Sequence, residues 1–314
     1  RDLDDISIID ETLRDSTLIR MRSDVPYGAY LSGGIDSSLI VKHMSSYEDQ
    51  IRTFTAEIDD EFLNEKKYAE IVSKRFNTDH ENLKVTSDNI RISYLRELTR
   101  SFGQPFADSS ILPTSLISEK IGERVVVALG GDGADELFCG YDKYGRSGSL
   151  ESKFYRNLDL SFLKDGFRVK TLPEIMSLIP DLEYDEMETL RHLDIRIFLE
   201  GDILQKIDRL SMRSSLEVRV PFLDHRIVDL SSKLSKDLIF NPKIRKKALK
   251  DILLLEFNKS FVHRPKVGFM VYMQKWSNRF DDYLNNCQFL NDTFFNLDIK
   301  KINDGYLRFA ILMF

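Results

Sequence analysis

The feature that most restricts the fold of this chain is a glycine-rich corner near its beginning. An apolar, strand-like run over Val25–Leu31 enters a Ser-Gly-Gly turn and continues as a predicted helix over Ser37–Met44. Two adjacent glycines, Gly33 and Gly34, let a backbone approach a ligand closely and adopt positive φ where a turn requires it. The positive end of the helix dipole then faces this turn, together with three hydroxyl groups, those of Ser32, Ser37 and Ser38. The corner is a candidate phosphate-binding loop.

An acidic residue, Asp36, distinguishes this loop from the Walker loop. The spacing G-x-x-x-x-G-K-[ST] and its lysine are absent here. A carboxylate beside a phosphate repels it unless a cation lies between them, so Asp36 predicts Mg²⁺. The alternative is an ordinary strand–turn–helix corner.

A second acidic corner follows a second strand-like run. Arg124–Leu129 is β-branched and apolar after its first residue, and it leads into a glycine- and acid-rich stretch, Gly130-Gly131-Asp132-Gly133-Ala134-Asp135-Glu136. In a parallel sheet, both corners lie at the carboxyl edge, where ligands bind. Asp36 and Asp135 are therefore expected to face one another across a phosphate site and to share Mg²⁺. The alternative is that Asp132 or Asp135 caps the following helix.

The order of predicted elements indicates an α/β fold followed by helices. Strands at about 25–31, 51–58, 80–85 and 124–129 alternate with helices of ten or more residues, which predicts a parallel sheet with helices on both faces. We predict three regions: an N-terminal helical segment (1–22), an α/β domain (23–145) and a helical region (146–314). Within the last region no segment alternates like a strand, and helices are predicted at Met187–Met212, Arg226–Ser235, Lys246–Leu255 and Val271–Leu284.

Composition excludes several functional classes. The net charge of -6 argues against broad nucleic-acid binding, and no apolar run approaches the ~18 residues of a membrane span. Two cysteines, Cys139 and Cys287, cannot form a disulfide framework, so a reducing, cytoplasmic location is expected. The chain starts at Arg1, which suggests a fragment or a processed chain.

Several blocks together resemble one family. The stretch from Leu31 to Ser38 resembles the loop of N-type ATP pyrophosphatases, whose fold is adenine nucleotide alpha-hydrolase-like. Later blocks resemble, in order, the synthetase domain of glutamine-hydrolysing asparagine synthetases: Phe106-Ala107-Asp108-Ser109-Ser110, Gly131-Asp132-Gly133-Ala134-Asp135-Glu136-Leu137-Phe138, Gly140-Tyr141-Asp142, Lys206-Ile207-Asp208-Arg209-Leu210-Ser211-Met212, Ser215 to Asp224, and Arg264 to Phe269.

The resemblance implies a carbon–nitrogen ligase of asparagine biosynthesis. A substrate carboxylate, by default that of aspartate, would attack the α-phosphorus of ATP. Ammonia or another amine would then displace AMP from the acyl-adenylate. By match to family positions, Mg²⁺ would lie on Asp36 and Asp135, and the ATP-binding residues would be Leu31, Ser32, Gly33, Gly34, Asp36, Ser37, Ser38, Ala56 and Gly131.

Two catalytic residues are expected from the resemblance. Asp132 stands where family members often have glutamate, and it keeps the acid as a base or orienting group. The family lysine that meets pyrophosphate aligns with Pro242, so Lys243, one residue later, is our candidate. We interpret Lys246, Lys247 and Lys250 as a solvated helix face. Without a lysine in the site, the chain would be a degenerate member.

Further expectations concern partners. Lys206 and Arg209 are candidates for contacting substrate or pyrophosphate. The chain has no residues for the family's glutaminase domain, so ammonia would come from a removed domain, from a separate subunit or from solution. A homodimer is a candidate assembly. Two alternatives are intramolecular amide closure, as in β-lactam synthetases and lasso-peptide cyclases, and a catalytically weak ATP-binding subunit.

Overall fold

A computed structural model describes most of the chain. The described residues are 6–58, 65–85, 90–154, 171–177, 185–241, 244–265, 284, 286, 310, 311 and 313. Lys243 and, apart from Leu284, the predicted helix Val271–Leu284 lie outside them.

A parallel sheet of five strands forms the centre of the structure. In chain order its strands are β1 (Tyr27–Tyr30), β2 (Arg52–Ile58), β3 (Asp79–Val85), β4 (Val127–Leu129) and β5 (Glu217–Arg219). Their spatial order is β3-β2-β1-β4-β5, and every neighbouring pair is parallel. The direction of winding therefore reverses between β1 and β4. The remaining strands, β6 (Phe240–Asn241) and β7 (Ile244–Arg245), form a short antiparallel pair.

Helices make up most of the remaining described structure. They are α1 (Ile6–Arg20), α2 (Ile35–Ser45), α3 (Lys66–Phe76), α4 (Ile92–Phe102), α5 (Ile111–Gly122), α6 (Ala134–Leu137), α7 (Leu150–Phe154), α8 (Leu172–Met176), α9 (Glu186–Leu193), α10 (Gln205–Arg213), α11 (His225–Lys233), α12 (Lys236–Ile239), α13 (Lys247–Leu253) and α14 (Lys259–Val262). A π-helix (Asp194–Leu204) joins α9 to α10, and short 3₁₀ turns span Asp142–Gly145 and Pro221–Leu223. Within the described part, no helix is both long and apolar enough to span a bilayer.

The sheet is covered on both faces, because successive side chains of a strand point to opposite sides. In β4, Val127 and Leu129 belong to the core that includes buried residues of α1, α2 and α13. Ala128, between them, belongs to a second core with Ile117 and Ile121 of α5. The predicted parallel sheet with helices on both faces is confirmed.

The fifth strand was not predicted from the sequence. β5 pairs with β4 in the register Val218–Ala128, and Val218 packs against the core on the α5 side. The expectation that no strand follows residue 145 is therefore wrong. The sequence did contain a signal, since Leu216, Val218 and Val220 alternate with the charged Glu217 and Arg219, but this five-residue alternation was overlooked between two predicted helices. The three predicted domain ranges stay predictions.

Asp224 joins the N-terminal helix to the later part of the chain. It caps α11 by accepting from the backbone N–H of Arg226, and its carboxylate also accepts from the guanidinium groups of Arg226 (2.9 Å) and Arg20 (3.0 Å). The hydrogen bonds from Arg226 and then from Arg20 hold the pKa of Asp224 well below its usual range, against the opposing effect of burial.

We predict that Asp224→Asn destabilises the protein by about 2 kcal/mol at neutral pH, the usual contribution of hydrogen bonds to a charged group. Asparagine is also a good helix cap, so the change isolates the loss of charge. Because the folded pKa is depressed, the carboxylate stabilises the fold above the unfolded pKa of about 4 and ceases to do so as the pH falls through its folded value. Urea unfolding at about pH 7 and pH 3 checks this; an undiminished difference at the lower pH would contradict it.

Candidate functional site

The first loop turns the chain from β1 into α2. Its conformation requires glycine at position 33, where φ is 71° and a Cβ would come within 3.0 Å of the backbone of Tyr68 and Ala69. Helix α2 begins after Gly34, and no side chain caps its N-terminus. The N–H groups of its first turn are therefore available to an anion at the positive end of the helix dipole.

Two of the three predicted hydroxyl groups belong to this loop surface. Ser32 Oγ lies 3.1 Å from Ser37 Oγ and accepts from the N–H of Gly34, also at 3.1 Å. Ser38 differs: it is fully buried inside α2, and its Oγ has no hydrogen-bond partner. Ser38 therefore lies behind the loop surface that its two neighbours form.

The two predicted carboxylates face the same point. Asp36 is in the first turn of α2, after β1, and Asp135 is in α6, after β4. The ammonium group of Lys246 lies between them, with Nζ 2.7 Å from Asp36 Oδ2 and 2.6 Å from Asp135 Oδ1. This point lies where the strand order reverses, the position at which open α/β sheets bind ligands.

Two glycines leave room for the side chains of Asp36, Asp135 and Lys246 to come together. A Cβ on Gly131 would come within 3.0 Å of Asp36 Cβ. A Cβ on Gly140 would meet both Oδ1 of Asp135 and Cε of Lys246 inside that limit. Neither glycine needs positive φ, so its role is to leave space.

The interpretation of Lys246 as part of a solvated helix face is wrong. Its side chain is only 6% exposed. Lys246 directly precedes the first residue of α13. Its φ of 51° places its backbone in the left-handed region, which is energetically costly for any residue other than glycine. That conformation takes it out of the helical periodicity on which the interpretation depended. Lys247 has the expected surface role, since it pairs with Asp251 at 2.5 Å.

The carboxylates fit the predicted Mg²⁺. Among the described residues, no group of three or more His, Cys, Asp or Glu side chains is arranged to hold a metal. Magnesium, however, is commonly bound through one or two carboxylates together with substrate phosphates and water. Asp36 and Asp135 would supply two oxygen ligands at one point, where both carboxylates already pair with the Lys246 ammonium.

A cavity of about 300 Å³ opens beside this point. Apolar and aromatic side chains form much of its wall. Its lining includes eight of the predicted site residues, Leu31, Ser32, Asp36, Ser37, Ala56, Gly131, Asp132 and Asp135, together with Tyr30, Phe54, Thr55, Glu65, Thr114, Ile117, Gly130 and Ile207. The second group was not predicted from the sequence. Most of its members, such as Phe54 and Ile117, occupy strand or helix positions typical of a core, whereas Glu65 is a charged residue just before α3.

Asp132 lies on the cavity wall, where the charges of Lys206, Asp36 and Asp135 all act on its carboxyl group. Burial raises the pKa of its carboxyl, the charge of Lys206 opposes this, and Asp36 and Asp135 add to the rise. Lys206 is itself buried on α10 and forms ion pairs with Asp108 and with Asp202, the latter at 3.3 Å. Burial and the neighbouring Asp108 raise the pKa of Asp202 to about 6. Lys206 is therefore not among the residues that line the cavity, but its positive charge lowers the pKa of Asp132, which is.

Arg209 is not among the residues that line this cavity, and its predicted contact with substrate stays a prediction. Its Nη1 donates to the backbone carbonyl of Phe102 at 2.6 Å, at the last residue of α4, and its guanidinium lies over the Phe102 ring. A cation at a helix C-terminus is favourable because the carbonyl ends carry partial negative charge. Arg209 therefore joins α10 to α4.

We predict that Gly140→Ala lowers the turnover of the reaction at this site about 100-fold, the size of effect that a misplacement of catalytic groups by about 1 Å can have. The added methyl would displace the ends of the Asp135 and Lys246 side chains rather than strain the backbone, so the protein should still fold. Turnover and thermal unfolding measured together check this. Gly201→Ala is the matched control, since a Cβ there meets nothing within 4 Å. Unchanged turnover in Gly140→Ala would contradict the geometry.

The fold and the site together define a class. A parallel α/β sheet with an uncapped helix N-terminus and two carboxylates at its switch point is consistent with an ATP pyrophosphatase-like fold. The sequence model of the asparagine synthase family matches residues 9–295, and this chain belongs to that family.

Curated relatives agree with this assignment. Asparagine synthetase [glutamine-hydrolyzing] 1 of Bacillus subtilis (strain 168) is 27% identical over 88% of this chain and 51% of its own length. A putative asparagine synthetase [glutamine-hydrolyzing] of Mycobacterium tuberculosis (strain ATCC 25618 / H37Rv) is 29% identical over 85% of this chain and 48% of its own. One from Methanocaldococcus jannaschii is 38% identical over 41% of this chain and 25% of its own. The chain spans about half the length of the first two.

Proposed function

We propose that this chain is an ATP-dependent amide-forming synthetase that adenylates a substrate carboxylate, by default that of aspartate. The observation that supports this best is the meeting of Asp36 and Asp135 on one cation at the switch point, beside the uncapped end of α2. Phosphate groups need a cation and N–H donors in the same place, and this arrangement supplies both.

The two sides of the site suit the two parts of ATP. The apolar wall of the 300 Å³ cavity, with Phe54 and Ala56, suits the adenosine, while the loop from Ser32 to Gly34 and the start of α2 suit the phosphates. Bound Mg²⁺ on Asp36 and Asp135 would neutralise phosphate charge. Lys246 would add positive charge where negative charge develops on the phosphate oxygens.

Asp132 is the proposed proton acceptor. The substrate carboxylate attacks the α-phosphorus and pyrophosphate leaves; the amine then attacks the acyl carbon and AMP leaves. The attacking amine must lose a proton, and Asp132 lies in the wall of the same cavity. A raised pKa brings a carboxylate nearer to the range in which a general base works well.

The nitrogen source is part of the proposal. The relatives' names state that those proteins hydrolyse glutamine. For this chain we propose that ammonia reaches the acyl-adenylate, delivered by a glutaminase domain or a separate subunit. A chain tested alone should then depend on added ammonium.

The function is tested with ATP labelled at the α-phosphate, Mg²⁺, aspartate and ammonium. Labelled AMP together with asparagine is the expected result. AMP formed only with another carboxylic acid would keep adenylation and replace aspartate as the acceptor; a cyclic product without ammonium would indicate intramolecular amide closure. Nucleotide binding without pyrophosphate release, with any acid tested, would contradict the synthetase function.

A further inference from the structure

The peptide group between Gly33 and Gly34 has both of its polar atoms held by side chains. Its carbonyl oxygen, which belongs to Gly33, accepts a hydrogen bond from one guanidinium nitrogen of Arg264. Its N–H, which belongs to Gly34, donates to Ser32 Oγ at 3.1 Å. Because the carbonyl and the N–H of a trans peptide point in opposite directions, these two contacts fix one orientation of the peptide plane.

Glycine on both sides makes this peptide group free to turn over. Such a rotation changes ψ of Gly33 and φ of Gly34 and leaves the path of the chain otherwise unchanged. The φ of Gly34 is −63°, and in the turned-over peptide it would be strongly positive, which glycine adopts readily. The alternative orientation is therefore accessible to this sequence unless side chains prevent it.

The two orientations differ in what the loop presents to an anion. The Gly34 N–H points to the side of Ser32 and Ser37, and both serines line the cavity. In the turned-over peptide, the Gly33 carbonyl oxygen would point to this side. Since N–H groups attract phosphate and carbonyl oxygens repel it, only the observed orientation suits an anion.

Arg264 is held in place independently of any ligand. Its guanidinium lies 4.1 Å from the ring centre of Tyr68, in α3, and 4.4 Å from that of Phe261, in α14. Its other terminal nitrogen donates to the carbonyl of Phe261 at 2.8 Å. A guanidinium can stack on rings by its faces and donate from its edge at the same time. The packing of α3 and α14 therefore fixes the donor that reaches Gly33.

We propose that Arg264 is a positioning residue that locks the Gly33–Gly34 peptide with its carbonyl directed away from the anion site. The inference rests on the proposed function, because the anion is then the phosphate chain of ATP. Without the guanidinium, the peptide would populate both orientations, and only one of them binds phosphate well. The apparent affinity for ATP then falls in proportion to the population of the competent orientation.

The test measures the binding of two ligands by isothermal titration calorimetry: ATP with Mg²⁺, and adenosine, which has no phosphate. Arg264→Met is expected to weaken ATP binding about tenfold, the usual effect of losing a hydrogen bond from a charged donor, and to leave adenosine binding unchanged. Arg264→Lys, whose ammonium can still donate to the Gly33 carbonyl, should weaken it only about threefold. Arg75→Met is the matched control, because Arg75 is 52% exposed and pairs with Glu256.

A second substitution separates locking from direct contact with phosphate. Alanine accepts the φ of Gly34 but not a strongly positive value, so Gly34→Ala prevents the peptide from turning over even without Arg264. The new Cβ would lie 3.0 Å from Ser32 Oγ, so affinities are compared within the Gly34→Ala background. There, Arg264→Met should weaken ATP binding by less than about threefold, because the lock is no longer needed. A direct contact would cost the same factor in both backgrounds.

The outcomes separate this inference from the proposed function. A wild-type chain that does not bind ATP with Mg²⁺ would contradict the proposed function and the inference with it. If the wild type binds ATP, then undiminished ATP affinity in Arg264→Met would contradict the inference alone. So would an equal loss of adenosine binding, or an equal loss of ATP binding in the two backgrounds. Thermal unfolding monitors the fold, and if Arg264→Met is unfolded, Arg264→Lys is compared in the two backgrounds instead.

Discussion

Asp36→Asn is expected to lower the formation of AMP by at least about 10²-fold while leaving the fold intact. Asparagine has the same shape but no charge, so it is a weaker Mg²⁺ ligand and a weaker partner for Lys246. Loss of one electrostatic contribution of this kind lowers turnover by about 10²–10³-fold in other enzymes. Release of pyrophosphate from ATP, followed under conditions where the wild type is active, checks the result.

The fold is monitored in the same experiment. Lys246 retains Asp135 as a partner in this variant, so thermal unfolding should change little. Asp229→Asn is the control, since the ion pair of Asp229 with Lys233 lies on the exposed face of α11. Wild-type turnover in Asp36→Asn would remove Asp36 from the metal site and from the catalytic proposal.

Lys246→Met is expected to lower adenylation by at least about 10²-fold and to exceed the effect of Lys243→Met. The structure gives Lys246 contacts with both carboxylates, whereas the choice of Lys243 depends on the alignment of the motif alone. The variant also leaves Asp36 and Asp135 facing one another without the ammonium. Two such carboxylates repel each other, so the folded protein should become less stable.

A stability measurement therefore accompanies the kinetics. Added Mg²⁺ should raise the thermal unfolding temperature of Lys246→Met more than that of the wild type, because the metal replaces the missing charge. Lys247→Met, with its lysine on the surface of α13, is the control. Equal and mild effects of Lys243→Met and Lys246→Met would exclude both lysines from the site; no response of Lys246→Met to Mg²⁺ would contradict a shared metal position.

Local sequence signals predicted the parts of the site that depend on strand ends. Each glycine corner follows a short apolar run, and parallel strands place their carboxyl ends on one edge. The prediction that both corners meet at a reversal of strand order is confirmed by the adjacency of β1 and β4. The positions of Asp36 and Asp135 followed from these two facts without knowledge of any long-range contact.

Side-chain partners across long chain separations were not predictable in this way. Lys246 reaches Asp36 over 210 positions, and Arg209 reaches the end of α4 over 107. Both lysine and arginine are compatible with a solvated surface, a helix end or a ligand site. Only the packing of helices on the sheet decides which of these a given side chain meets.

By itself, the sequence determined the α/β class, the two acidic corners and the family resemblance. These depend on the spacing of apolar residues along the chain, on turn chemistry and on short motifs. The tertiary structure alone decided that β5 completes the sheet and that Lys246 lies between the carboxylates. The physical reason is that strand pairing and ion pairing join residues far apart in the chain, and their energies depend on geometry that no local pattern contains.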